Sequence, residues 1–292
     1  MRMTALALLS GVAACLGESA ASVHTPVFTD DPAAPLLVGA GDIAYCSRNT
    51  DEATARLLDR IPGTVFTVGD HVYPTADAAG FDRCYGPTWG RHRERTRPSP
   101  GNHEWDVEGG APYFAYFGEN AGQPGRGYYS YELGAWHIVV LNSNIDMGAG
   151  STQLAWLRAD LAATRARCVL AYWHHPRFTS SRRTPNPAIE AAWQALYESG
   201  AEVVLGGHEH NYERFAPQTP AGTADSARGM RQFVVGTGGA RMHTFGAAGS
   251  LSEKRGITFG VLVFKLHPDR YEWQFVSALG GRFEDSGSAP CH

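Results

Sequence analysis

The sequence predicts an α/β domain, and two observations predict it. Apolar runs of strand length recur along the chain, and each ends in glycine or in a polar cluster. In the first two thirds these runs alternate with helical patterns, whereas strands dominate after Arg231. This order indicates a sheet built from strand and helix units, to which the last third of the chain adds antiparallel strands.

The individual elements follow from these patterns. Three helices are predicted from apolar residues at helical spacing, over Thr50 to Ile61, Ser151 to Ala166 and Pro187 to Ser199. Eight runs are predicted as strands: PLLVGAGD, GTVFTVGD, WHIVVLNSN, CVLAYWHH, AEVVLGGHEH, RQFVVGTGG, GITFGVLVFKLH and YEWQFVS. No repeat or linker interrupts them, so a single domain is expected from about residue 25 to residue 292.

Composition and charge narrow the function classes. With 43% hydrophobic residues in 292, the chain can bury a core large enough for a stable globular fold. Its 29 acidic residues outnumber its 25 basic residues, and no long basic run is present. A large nucleic-acid interface is therefore not expected.

The first 21 residues are predicted to be a signal peptide. One arginine is followed by an apolar stretch and then by small residues, and the stretch is too short to span a membrane. Residues 12 to 15, VAAC, resemble a bacterial lipobox, which would place a lipid anchor on Cys15; cleavage after Ala20 or Ala21 is the alternative. Both readings predict an extracytoplasmic protein that is periplasmic, secreted or lipid-anchored.

Four cysteines remain after the leader, and in an oxidising compartment they are expected to pair. Four cysteines allow three connectivities. We predict Cys46 with Cys84, because both lie in loops after early strands. We predict Cys168 with Cys291, a pair that would tie the C-terminus to a core strand.

Polar residues follow the last apolar residue of five strands. Since sites in open α/β sheets form at the carboxyl ends of strands, these residues are expected to converge. His208 and His210 are expected to project from one face of a strand end, because side chains two residues apart in a strand share a face. The five segments are Gly41-Asp42, Asp70-His71-Val72-Tyr73, Asn102-His103-Glu104, His174-His175 and His208-Glu209-His210.

Taken singly these segments are weak signals, since a lone aspartate is commonly a turn former and a lone histidine is commonly a satisfied core residue. Together, in this order, they resemble the five-block motif of the calcineurin-like metallophosphoesterases, specifically that of the purple acid phosphatases. The aspartate followed three residues later by tyrosine, Asp70 and Tyr73, distinguishes that branch. One departure is Ala44, where the first block of the family has glycine, so the turn after Asp42 is expected to differ.

The resemblance implies a four-layer α/β/β/α sandwich of two mixed sheets, with one catalytic domain over residues 25 to 292. It implies a first metal site formed by Asp42, Asp70, Tyr73 and His210, and a second formed by Asp70, Asn102, His174 and His208. Asp70 would bridge two ions. Fe(III) is expected in the Tyr73 site, because phenolate and carboxylate are hard donors, and divalent Fe, Zn or Mn is expected in the Asn102 site.

The activity that this resemblance implies is hydrolysis of small phosphomonoesters by attack of a metal-bound hydroxide. His103 would donate a proton to the leaving group, with Glu104 orienting it. His71, His175 and Arg182 are further candidates for contacts to substrate.

Other functions explain less of the sequence. Residues 38 to 44, VGAGDIA, nearly match a dinucleotide-binding turn, but Asp70 lies too far along the chain and the histidines would have no role. Neither a His-Glu-x-x-His protease motif nor a Gly-x-Ser-x-Gly elbow is present. Two alternatives stay open: a phosphodiesterase that uses the same site, and a non-catalytic metal- or phosphate-binding protein of the cell envelope.

Overall fold

The computed structural model describes residues 26–29, 31–182 and 187–292. The predicted signal peptide, with Cys15, lies outside these residues. In the described ranges, no helix combines the length and the apolar character needed to cross a bilayer.

The first sheet has six strands in the order β15-β14-β13-β1-β3-β5. The strands β1, β3 and β5 are parallel, and β13 runs antiparallel to β1. With strands numbered in chain order, the bounds are β1 Leu36–Ala40, β3 Thr64–Val68, β5 Thr96–Ser99, β13 Gly260–Leu266, β14 Arg270–Ser277 and β15 Asp285–Pro290.

The second sheet has seven strands in the order β12-β10-β11-β9-β8-β7-β6 and is also mixed. Its central strands β7, β8, β9 and β11 are parallel. A separate short pair joins β2 to β4. The bounds are β2 Ala44–Tyr45, β4 Val72–Tyr73, β6 Tyr129–Leu133, β7 Trp136–Val140, β8 Cys168–Tyr172, β9 Val203–Gly206, β10 Tyr212–Phe215, β11 Arg231–Val235 and β12 Ser252–Gly256.

All three predicted helices are present and each is a few residues shorter than predicted. They are α1 (Thr50–Leu58), α5 (Thr152–Ala163) and α6 (Glu190–Glu198), and a 3₁₀ turn over Pro187–Ile189 precedes α6. The remaining helical segments are α2 (Ala78–Gly80), which continues as a helical turn over Phe81–Tyr85, then the 3₁₀ segment Trp89–Arg95, α3 (Asn102–Trp105), the turn Glu108–Gly110, α4 (Ala111–Phe117) and the turn Gly118–Ala121.

Alternation along β7 shows how the layers stack. Val139 and the following Leu141 pack in a cluster with Leu157 of α5 and Trp193 of α6. The residues that alternate with them, Ile138 and Val140, belong to the cluster that contains the strands of the first sheet. Because neighbouring side chains of a strand point to opposite faces, the second sheet lies between α5 and α6 and the first sheet.

Helix α1 supplies Leu57 and Leu58 to the cluster of the first sheet, and α4 supplies Phe114 and Phe117. The predicted four-layer α/β/β/α sandwich of two mixed sheets is therefore confirmed.

The carboxyl ends of the parallel strands of both sheets meet at one edge. After β1, the Gly41 N–H donates to the Val235 carbonyl at the end of β11, at 2.9 Å. After β9, the Gly207 N–H donates to the His174 carbonyl beyond β8, at 2.8 Å. The loops that carry the motif residues are therefore neighbours.

Two disulfides lie within the described residues, and they are the two predicted pairs. Cys46–Cys84 joins the loop after β2 to the helical turn over Phe81–Tyr85. Cys168–Cys291 joins the start of β8 to the residue that follows β15.

Candidate metal centre

Three residues at this edge have left-handed backbone conformations. Asp42, Asp70 and His208 have φ of 58°, 53° and 67°, and each follows a glycine. Such conformations cost a non-glycine residue roughly 1–2 kcal/mol, and they tend to cluster at functional sites. Ala44 is in the extended strand β2 and pairs with Val72, so the missing family glycine costs no backbone strain there.

The first group of donor atoms surrounds the hydroxyl of Tyr73. This oxygen lies 2.7 Å from Asp42 Oδ1, 2.7 Å from Asp70 Oδ2 and 3.0 Å from His210 Nε2. His210 Nε2 is also 3.0 Å from Asp42 Oδ1. One phenolic proton cannot serve two carboxylates at once, so these acidic groups converge more closely than hydrogen bonding alone explains.

The second group lies on the other side of Asp70. Asn102 Oδ1 is 3.1 Å from His174 Nε2 and 3.1 Å from His208 Nδ1, and these two nitrogens are 3.1 Å apart. His174 Nε2 is 3.3 Å from Asp70 Oδ2. The same oxygen of Asp70 therefore belongs to both groups.

The two groups fit a pair of metal ions. Metal–ligand bonds of about 2.0–2.2 Å place neighbouring ligand atoms roughly 3 Å apart, which is the spacing observed. The carboxylates and the phenol of the first group suit a hard ion, and the amide and imidazoles of the second suit a divalent one. The seven residues predicted as ligands from the sequence are therefore brought together in this structure.

The electrostatics of the centre are those of buried ion pairs. Burial opposes ionisation of Asp42 and Asp70, but nearby imidazoles outweigh it and hold the pKa of each carboxyl below its ordinary value. Conversely, burial works against a charge on His174, yet the Asp70 carboxylate raises the pKa of His174 to about 9. Binding of cations here would displace protons from the histidines.

The pKa of Tyr73 is shifted in the opposite direction to that of the two carboxyl groups. Burial, followed by the charges of Asp42 and Asp70, raises its pKa well above the ordinary value. The phenol is therefore protonated at neutral pH unless a strong Lewis acid replaces the proton.

Two of the histidines are oriented by backbone carbonyls. His174 Nδ1 lies 2.7 Å from the Val68 carbonyl, and His210 Nδ1 lies 2.6 Å from the Arg241 carbonyl. Because a carbonyl only accepts, Nδ1 carries a proton in each ring, and Nε2 is the nitrogen that faces the donor group. This arrangement is usual for histidines that bind metals.

Glu104 has a role that the sequence did not suggest. Its fully buried carboxylate accepts the backbone N–H groups of Asp70, His71 and Gly101, each at 2.8 Å. These three bonds fix the loops that carry Asp70 and Asn102. None of them involves the His103 ring, so the expectation that Glu104 orients His103 is wrong. Gly101 is needed beside it, because any Cβ there would collide with Asp70.

His103 lies at the open side of the centre, with 32% of its side chain exposed. Its backbone N–H donates to Asp70 Oδ1 at 3.0 Å, and its Nδ1 lies 2.7 Å from the Pro74 carbonyl. Nδ1 is therefore the donor to Pro74, and Nε2 is 3.9 Å from Asp70 Oδ2.

The three further candidates for substrate contacts, His71, His175 and Arg182, differ in their position relative to the two donor groups. The expectation for His71 is wrong: its ring is fully buried, lies 2.7 Å from Thr67 Oγ1, and is enclosed by aromatic rings that include Phe117. His175 lies beside the second group, with its ring 4.4 Å from that of His208. Arg182 is exposed, and within the described residues no contact joins it to either donor group.

Comparison with known proteins identifies the family. The model of the calcineurin-like phosphoesterases matches residues 35–212, which is more than half of the chain and includes every proposed ligand. The chain belongs to this family.

Two curated relatives are purple acid phosphatases of Arabidopsis thaliana. Purple acid phosphatase 15 is 27% identical over 63% of this chain, and purple acid phosphatase 18 is 29% identical over 60%. The matched segments span only 41% and 39% of those proteins. The match extends to two fifths of each relative's length.

Among solved structures, a purple acid phosphatase from yellow lupin seeds superposes with a TM-score of 0.70. The alignment covers 87% of this chain and 53% of the lupin chain, at 19% identity. At this identity the likeness concerns the fold.

Proposed function

We propose that the protein is an exported binuclear-metal phosphoesterase, similar to purple acid phosphatases, that hydrolyses small phosphomonoesters with a single catalytic domain over residues 25–292. The observation that carries the proposal is the shared oxygen of Asp70, which lies in both donor groups. Family membership supports the reaction class, and the Tyr73 hydroxyl within the first group supports the purple branch.

The proposed ligands divide by chemistry. Asp42, Asp70, Tyr73 and His210 would hold Fe(III), and Asp70 with Asn102, His174 and His208 would hold divalent Fe, Zn or Mn. Such a pair of ions, when bound, supplies an activated water and offsets the charge of the phosphoryl oxygens.

The chain's own groups complete the site. His103 is the proposed proton donor to the leaving oxygen, because Pro74 fixes its Nδ1 and leaves Nε2 free on the exposed side. His175 is the proposed phosphoryl contact, with Ser143 Oγ 2.8 Å from its Nδ1. Arg182 is a second proposed contact, at the exposed rim.

A Tyr73 variant tests whether Fe(III) occupies the first site. A phenolate bound to Fe(III) gives a visible charge-transfer absorption, so Tyr73→Phe is expected to remove the colour of protein loaded with iron. The visible spectrum and the iron content are measured together. A coloured variant with wild-type iron content would rule out Tyr73 as the ligand.

A His103 variant tests whether this residue is the proton donor to the leaving group. His103→Ala is expected to slow esters with poor leaving groups by about 100-fold, and activated aryl esters much less, because only a poor leaving group needs the proton. The measurement is kcat/KM across a series of leaving groups. Equal slowing along the series would contradict the role of His103.

The activity itself is tested by hydrolysis of a chromogenic phosphomonoester beside the matching diester, from acid to alkaline pH, with metal-replete protein. Faster monoester cleavage supports the proposal. Preferred diester cleavage would assign a phosphodiesterase, and no turnover of either ester would favour the non-catalytic envelope protein.

Export is part of the proposal. Disulfides persist in oxidising compartments, and the two disulfides support a location outside the cytoplasm. Whether the mature protein is anchored through lipid on Cys15 is decided by its mass, because a lipid chain adds to the mass of the peptide.

A further inference from the structure

The loop after β11, residues 236–243 with the sequence GTGGARMH, touches both ends of the first donor group. The Ala240 N–H donates to the Asp42 carbonyl at 2.9 Å, and the Arg241 carbonyl lies 2.6 Å from His210 Nδ1. This 236–243 loop follows the region that the family model matches, which ends at residue 212.

His243 contacts His210 in three ways. Its N–H donates to the His210 carbonyl at 2.9 Å, and its Nδ1 accepts the His210 N–H at 3.2 Å. Its ring lies parallel to the His210 ring, with centroids 3.9 Å apart and planes 9° apart. One residue thus restrains both the backbone and the ring plane of His210.

The restraint is specific to the side chain. A backbone pairing alone would explain the N–H to carbonyl bond, but the second bond needs an acceptor at the position of Nδ1, and the stack needs a flat ring. Nδ1 is also 3.5 Å from Glu209 Oε2, a longer contact than the one to the His210 N–H. His243 is 28% exposed, so its place in the structure is not that of a core residue.

We propose that His243 is a positioning residue for the first metal site, where it fixes the location and plane of the His210 imidazole. The proposal rests on the proposed metal centre of the preceding section. It assigns a role to a residue that the sequence did not single out and that lies outside the region matched by the family.

The test is the binding of Zn²⁺ to metal-free protein, measured by competition with a chromogenic chelator. Residues that orient metal ligands typically contribute about 10- to 100-fold to affinity, so His243→Ala is expected to weaken one of the two Zn²⁺ binding steps by that factor. His243→Phe keeps a flat ring of similar size and is expected to weaken the same step less. Circular dichroism of both metal-free variants checks that they fold.

The matched control is His292→Ala, which removes a histidine of similar exposure, 22%, that contacts Glu202 instead. It is expected to leave both Zn²⁺ steps unchanged. Unchanged Zn²⁺ binding in folded His243→Ala would overturn the proposal. Wild-type protein that takes up no Zn²⁺ would overturn it together with the metal centre, whereas two bound ions without turnover would contradict only the proposed activity.

Discussion

Asp70→Asn is expected to lower phosphomonoester hydrolysis by more than about 1,000-fold, equivalent to about 4 kcal/mol of transition-state stabilisation. Oδ1 of Asp70 accepts the His103 N–H, and an asparagine oxygen can still do so. Oδ2 faces both donor groups, and in asparagine it becomes an amide nitrogen that cannot bind a cation. The variant should therefore keep its fold and lose the bridge.

Activity and metal content are measured on the same sample. The variant is expected to retain at most one ion per chain. Asp106→Asn is the matched control, because it makes the same chemical change at an exposed residue just after α3. Two bound ions and more than about a tenth of wild-type activity in Asp70→Asn would contradict the bridging role.

Removal of the Cys168–Cys291 disulfide, by replacing both residues with alanine, is expected to lower the free energy of unfolding by about 5 kcal/mol. The reason is that its ends are 123 residues apart in sequence, so the bond removes much conformational freedom from the unfolded chain. Urea denaturation of oxidised wild type and of the variant measures the difference.

The Cys46–Cys84 pair supplies the comparison. Its separation of 38 residues predicts a smaller loss of about 4 kcal/mol in the double alanine variant. Cys168 lies at the start of β8, whereas the donor groups lie beyond the end of this strand. The folded variant without the Cys168–Cys291 disulfide is therefore expected to keep the wild-type kcat. Equal losses from the two pairs, or a loss below about 1 kcal/mol from the longer one, would contradict the chain-entropy argument.

Most of the strands that the sequence predicts are buried on both faces. Every residue of β7 and β8 is buried, and apart from His137 in β7 their runs are apolar. By contrast, β12 (SEKRG) and β15 (DSGSAP) are edge strands with few apolar residues. They are strands because their backbones hydrogen-bond to a neighbouring strand. The local sequence pattern does not indicate such pairing.

The candidate site was predictable in its residue types and less so in its geometry. The order of the five segments indicated the ligands, through resemblance to the family. The expectation that His208 and His210 leave one face of a strand is wrong: β9 ends at Gly206, and His208 has a left-handed conformation in the turn beyond it. The turn directs His208 to the second donor group and His210 to the first.

The role of Glu104 was misassigned, and His243 was missed, for a related reason. Their contacts join segments that are distant in sequence, such as Glu104 with Asp70, 34 residues away, and His243 with His210, 33 residues away. The only local signal was the glycine-rich run GTGGA at 236 to 240, and it does not include His243.

The position of β1 between β3 and β13 has a consequence for the order of folding. Leu37 of β1 pairs with Phe264 of β13. The centre of the first sheet therefore cannot form until a segment more than two hundred residues later in the chain is available. Until that segment has left the ribosome, one edge of β1 has no partner strand. Contacts of such long sequence separation make folding slow, and the nascent chain stays incomplete until its last strands are synthesised.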